Sequence, residues 1–130
     1  MTEKFKVEFL PEAVEFMERL DKKSQEKIYY NIRKAQVTND PELFKKLTTT
    51  IWEFRTLYNK SYYRLFAFWD KIDGKQTLVL ATHGLIKKTG KTPLTELKKA
   101  EHIRQQYFEQ KKNFYAYKEK NENCSLRRND

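Results

Sequence analysis

The apolar positions of the chain follow two kinds of spacing, and the middle third carries the denser one. Residues 51–88 read IWEFRTLYNKSYYRLFAFWDKIDGKQTLVLATHGLIKK, three aromatic-rich apolar runs separated by two turns. In 51–58, Trp52, Phe54 and Tyr58 share one face of a strand, while Glu53 and Arg55 share the other. In 62–70, Tyr63, Leu65, Ala67 and Trp69 alternate with Tyr62, Arg64, Phe66 and Phe68. The run from Thr77 to Thr82 is apolar on both faces, as in a central strand covered on both sides. Asn59-Lys60 and Asp73-Gly74 are the predicted turns. The stretch therefore predicts a three-stranded antiparallel sheet with His83 at the end of its last strand.

On either side the spacing becomes helical. Phe5, Val7 and Phe9 first alternate with Lys6 and Glu8, which predicts a short strand. Pro11 suits a first helical turn, and Ala13, Phe16, Met17 and Leu20 then share one side of a helix. Asp21-Lys22-Lys23 makes a short link. Ser24 is the expected cap of a second helix carrying Ile28, Ile32 and Ala35. So short a link predicts an antiparallel hairpin packed on one face of the sheet. Asn39-Asp40-Pro41 ends it and predicts a single helical turn with Phe44 and Leu47. Thr92 and Pro93 open a last helix whose buried side is Leu94, Leu97, Ala100, Ile103 and Tyr107.

The expected fold class is α+β: an N-terminal strand and helical hairpin on a mainly antiparallel sheet of about four strands, with a C-terminal helix. One domain covers residues 1–112. Residues 113–130 read as a polar tail, partly disordered from about residue 118.

Composition adjusts this picture in three places. With 130 residues the chain supports one modest core, and 15% aromatic content argues for folding despite 35% charged residues. Charge interrupts every long apolar stretch, so no membrane span is expected, and residues 1–6 do not read as a secretory leader. Cys124 is the single cysteine, which excludes an intramolecular disulfide and suits a reducing cytoplasm.

The net charge of +9 is uneven. Residues 51–92 hold 8 basic and 3 acidic side chains, whereas residues 1–50 hold 10 and 9. More than half the excess falls on the sheet and the loop after it. Arginine is costly to bury, so Arg55 and Arg64 among aromatics predict a cationic face that meets an anion. A solvated surface is the alternative for the helices.

Candidate chemistry narrows by residue type. His83 and His102 have no Cys or His companions at ligand spacing, so no metal site is expected. The three glycines are too dispersed to cradle phosphate. Arg55, Arg64, His83, Lys87 and Lys88 remain. They suit metal-free RNA cleavage by the neighbouring 2′-hydroxyl, which needs a base, an acid and cations around a dianionic phosphorane. Arginine grips phosphate, histidine or a depressed lysine moves protons, and aromatics stack on unpaired bases.

The order of elements resembles the RelE/ParE superfamily of toxins from type II toxin–antitoxin pairs, with the closer resemblance to its phage-derived HigB-like branch. That branch's Trp-Glu-Leu-Arg strand is matched by Trp52-Glu53-Phe54-Arg55, and its Tyr-Arg strand by Tyr63-Arg64-Leu65. Its His-x-Phe-x-Lys-Lys-Thr segment running to Lys-Thr-Pro is matched by His83 to Thr89 and Lys91-Thr92-Pro93. Leu85 and Phe54 depart from the pattern in a way that suggests a repacked core. The last helix, with Ala100, Arg104 and Tyr107, also fits.

The resemblance implies a cytoplasmic, ribosome-dependent mRNA endonuclease that needs no cofactor and arrests translation, with ribosome, mRNA and a cognate antitoxin as partners. By analogy Arg64 and Arg55 hold the scissile phosphate, His83 transfers a proton and Lys87 adds charge. Lys88, Lys91 and Arg104 bind RNA. Other readings stay open at this stage: a gyrase poison on the same fold, a catalytically inactive antitoxin-binding module, an Arg55 that merely pairs with Glu53 or helix carboxylates, and a His83 that only hydrogen-bonds.

Overall fold

A computed structural model describes residues 2–71, 77–87 and 91–128. The chain runs β1 (Lys6–Phe9), α1 (Pro11–Glu18), α2 (Lys22–Val37), β2 (Phe44–Lys46), β3 (Trp52–Tyr58), β4 (Ser61–Asp70), β5 (Leu78–Lys87) and α3 (Leu94–Arg128). The class is α+β, as expected. The five strands form one mixed sheet in the order β1-β5-β4-β3-β2. Three of its contacts are antiparallel, and β1 lies parallel to β5 through Lys6–Leu78 and Phe9–Ala81.

The alternation places the two layers. Phe54, Leu65, Ala67, Val79 and Ala81 face α1 and α2 and meet Ala13, Met17, Ile28, Ile32 and Ala35 in the larger core. Phe66 and Phe68 point to the opposite face, where Ile51, Ala100, Leu97, Tyr107 and Phe108 cover them. Helix α3 thus lies across the face that carries Arg55 and Arg64. On the α1 face, Gly84 is required by close approach, since a Cβ there would overlap the Phe16 ring. The β3–β4 turn has Asn59 and Lys60 at φ 50° and 65°, the left-handed pair of a tight hairpin.

Five local expectations change. Phe44 lies in a strand, not a helical turn: it pairs with Phe54 and its ring stacks on Phe54 at 4.3 Å and Trp52 at 4.8 Å. This edge strand raises the count to five. The cap of α2 is Asp21, whose carboxylate accepts from the Ser24 backbone N–H at 3.2 Å and hydroxyl at 2.6 Å. Strand β5 continues five residues past Thr82, because β4 extends far enough to pair with it from Phe66–His83 to Tyr62–Lys87. His83 is therefore inside the strand. Leu94, expected in the core, is 65% exposed at the first turn of α3. Helix α3 also continues beyond Lys112 to Arg128, through a segment rich in good helix formers. The Asp73-Gly74 turn lies outside the described residues.

Candidate functional site

The site begins with strand register. Arg55 on β3 stands directly opposite Arg64 on β4. On the other side of β4, Tyr62 pairs with Lys87, Arg64 with Leu85 and Phe66 with His83. One face of three adjacent strands therefore gathers Arg55, Arg64, Tyr62, Lys87 and His83. Two like charges directly opposite are unfavourable in a sheet, so something must offset them.

Glu53 offsets them. It lies on the same face of β3, two residues before Arg55, and is 0% exposed. Its Oε1 accepts from Nη1 of Arg64 at 3.0 Å and lies 3.3 Å from Nε of Arg55. Its Oε2 accepts from the Thr92 hydroxyl at 2.8 Å, and Arg64 Nη1 also donates to that hydroxyl oxygen at 3.0 Å. Thr92, which with Pro93 opens the last helix, closes this cluster with its side chain. Desolvated charges persist only when paired and hydrogen-bonded, and this carboxylate has partners on both oxygens.

The two arginines are not equivalent. Arg64 is 5% exposed, with its guanidinium 5.7 Å from the Tyr62 ring centre. The Arg55 side chain is 31% exposed and meets Glu53 through Nε. Arg55 thus keeps part of its side chain open to solvent. Leu57, two residues on along the same face, is 57% exposed and Tyr62 opposite it is half-buried, an apolar shelf next to a cationic side chain.

His83 occupies the far side of the same face. Its ring lies 4.8 Å from that of Phe66 and is 3% exposed as a residue. Nε2 is 2.7 Å from the Glu96 carboxylate, and Nδ1 is 3.0 Å from the Thr82 hydroxyl. Burial pushes the imidazole below its ordinary pKa, and the Glu96 hydrogen bond opposes this only in part. The start of α3 thus crosses the site twice, with Thr92 on the arginines and Glu96 on the histidine. Thr82 is the extra residue of a bulge between Phe66 and Ala67, and its hydroxyl donates to the Phe66 carbonyl at 3.1 Å.

The other expected residues divide. Lys87 Nζ donates to the Lys91 carbonyl at 2.8 Å, which brings both lysines to the open end of the face. Lys88 lies outside the described residues. Arg104 is drawn elsewhere: it pairs with Glu101 at 2.8 Å, lies 5.3 Å from the Phe108 ring centre, and shares Glu101 with Thr50. Among the described residues no contact joins Arg104 to the arginine pair.

Sequence reasoning missed a second buried carboxylate. Asp70 at the end of β4 accepts from the Tyr107 hydroxyl and from Lys111 Nζ, both at 2.6 Å. Burial, reinforced by Asp70, pushes the Tyr107 phenol up to about 12. The one available signal was the spacing of Tyr107 and Lys111, four residues apart on one helix face. Among the described residues no group of three or more His, Cys, Asp or Glu could hold a metal ion. No described helix is long and apolar enough to cross a membrane.

A buried carboxylate, two arginines in cross-strand register and an aromatic neighbour can orient a phosphate and the base beside it. A comparison with curated proteins finds no match. A family model described as "Phage derived protein Gp49-like (DUF891)" matches residues 15–105, from the middle of α1 into α3. That span holds the whole arginine cluster, His83 and both α3 contacts. The chain belongs to this phage-derived Gp49-like family, a RelE/HigB-like family of toxins from toxin–antitoxin systems.

Proposed function

We propose that the protein is a ribosome-dependent mRNA endonuclease of the HigB-like kind, cutting translated message by metal-independent attack of the 2′-hydroxyl. The observation that carries this reading is the cross-strand register of Arg55 and Arg64 on a face with Tyr62 and Lys87. Members of the family are generally endoribonucleases, and the family implies an antitoxin partner. In the proposed mechanism the terminal nitrogens of Arg55 grip the scissile phosphate, and Arg64 supports that grip from beneath. Tyr62 stacks on an adjacent base, while Lys87, Lys88 and Lys91 add positive charge along the backbone.

His83 remains the proposed proton-transfer group. Its depressed pKa keeps it neutral near pH 7, as a base must be, with Glu96 positioned to stabilise the imidazolium that forms. Because the ring is covered, this role requires the first turn of α3 to lift from β5 when RNA binds. Arg104 is assigned to the surface beside Glu101, where it meets RNA only if that pair opens.

The test is a defined cell-free translation reaction with purified protein and primer extension on the mRNA. Codon-phased cuts confined to translated message are expected. Arg55→Ala is expected to lower the cutting rate by about 100-fold or more, the scale for loss of one transition-state anion contact. Intact message with continuing translation would remove the reading and turn attention to gyrase.

A further inference from the structure

The arginine pair raises a question that a phosphate-binding role leaves unanswered. Arg55 and Arg64 face each other across β3 and β4, yet neither is splayed into solvent. Left alone, two guanidiniums in that register would repel and sample many rotamers. An anion arriving would first have to order them.

We infer that Glu53 is the positioning residue of this site: its buried carboxylate sets the orientation of Arg55 and Arg64 before any phosphate arrives. The inference rests on the nuclease reading for its catalytic consequence but on geometry alone for its physical content. A single oxygen, Oε1, reaches Arg55 Nε at 3.3 Å and Arg64 Nη1 at 3.0 Å. The second oxygen, Oε2, is held by Thr92 at 2.8 Å, so the carboxylate cannot rotate without breaking that bond. Thr92 in turn accepts from Arg64. The result is a closed ring of Glu53, Arg64 and Thr92, with Arg55 attached at one edge. Arg64 is buried within the ring, and Arg55, with 31% of its side chain exposed, lies at the ring's edge.

Three physical consequences follow. The pair carries one net positive charge rather than two, which allows two arginines to sit opposite each other on a sheet. Arg55 is held at Nε while part of its side chain stays exposed, so part of the entropy of ordering a phosphate clamp is met in folding rather than in binding. Thr92 belongs to the segment that leads into α3, so the same ring couples the arginines to the helix that covers His83. Glu53 touches no substrate atom in this scheme; it acts through Arg55.

Glu53→Gln tests the idea, because glutamine keeps the side-chain length and one acceptor but removes the charge. Removing a negative charge from a cationic face should leave ribosome affinity unchanged or stronger. Loss of arginine orientation should lower the rate of the cleavage step. The expected result is therefore a split: kcat falls by about 10- to 100-fold while KM stays level or falls. Glu53→Asp, which retains the charge, should recover part of that kcat. A folded Glu53→Gln protein with wild-type kcat would overturn the inference.

Should Glu53→Gln fail to fold, the wild-type protein still decides the matter by nitrogen-15 NMR of its arginine side chains. The Arg64 Nη1 protons, donated to Glu53 and to the Thr92 hydroxyl, are expected to be resolved and slow to exchange, and the Arg55 guanidinium, 3.3 Å from the same carboxylate, is expected to show restricted side-chain motion by nitrogen-15 relaxation. An Arg55 guanidinium as mobile as that of a fully solvated arginine would overturn the inference. Wild-type protein that leaves translated message intact would instead refute the nuclease reading, whatever the NMR result.

Discussion

At the residue scale, the chemistry is governed by which charges are buried. His83 gives a direct handle. Its imidazole is held below the ordinary value of 6.5 because burial disfavours the charged form more than Glu96 favours it. In the unfolded chain the same imidazole takes up a proton near 6.5. Between 6.5 and the lower folded value the unfolded state binds more protons, so folding stability falls as pH falls through that window and is level above it. Denaturant melts of the wild type and His83→Asn from pH 7.5 downward should show this. The wild type should lose more stability on acidification than the variant. Equal slopes would mean that the ring titrates as it does in water. The arginines differ for the same reason: a 31% exposed Arg55 side chain can meet a ligand directly, whereas a 5% exposed Arg64 meets its carboxylate and the Tyr62 ring first.

At the scale of elements, α3 is the part whose position matters most. Its apolar stripe of Leu97, Ala100, Tyr107 and Phe108 docks on Ile51, Phe66 and Phe68, and polar contacts fix it at both ends of the sheet. Thr92 and Glu96 hold its start to Glu53 and His83. Tyr107 and Lys111 hold its middle to Asp70. Tyr107→Phe keeps the ring packing on Phe68 and removes one hydrogen bond to a buried carboxylate, a loss of about 1–3 kcal/mol. The urea midpoint should shift accordingly with the slope unchanged, since no additional surface is exposed. A midpoint equal to that of wild type would mean that the remaining contacts of Asp70 satisfy it without the phenol. Because this contact is remote from the arginines, the same variant should retain cleavage per folded molecule.

For the whole molecule, charge is distributed by layer. Arg55, Lys87 and Lys91 keep the open end of the sheet face cationic, while Glu12 of α1 pairs with Lys99 of α3 at 3.0 Å and Asp70, at the other end of β4, is taken up by Tyr107 and Lys111. Association with ribosomes through this face should therefore depend steeply on salt. Counting Arg55, Lys87 and Lys91 alone, the log–log slope is expected to be about −2 or steeper. Sedimentation of the purified protein with ribosomes over a range of potassium concentrations measures it. A flat response would place the contact on an uncharged surface. An antitoxin that covers the same face would share this salt dependence, whereas one that docks on α1 and α2 would not.

The three central strands and their facing were legible in the chain because alternation is a local property: Glu53 and Arg55 had to share one face and Trp52 and Phe54 the other, whatever packed on them. The helical hairpin was legible for the same reason, with Ala13, Met17, Ile28 and Ile32 at helical spacing. The expected helical turn at Phe44 failed because a three-residue edge strand has no periodicity of its own and takes its form from β3. Local pattern also placed Arg55, Arg64 and Tyr62 on a sheet and His83 at its end, but not on one another, and it left Lys87 beyond the last strand. That required the register, in which Arg55 stands opposite Arg64 and Lys87 beside Tyr62. Tertiary structure alone decided that Thr92, 39 residues away, closes on Glu53, that Glu96 covers His83, and that Asp70 anchors Tyr107. Such contacts depend on where a helix lies across a sheet. That position is set by the summed packing of Ile51, Phe66, Phe68 and Ala100, not by any spacing along the chain.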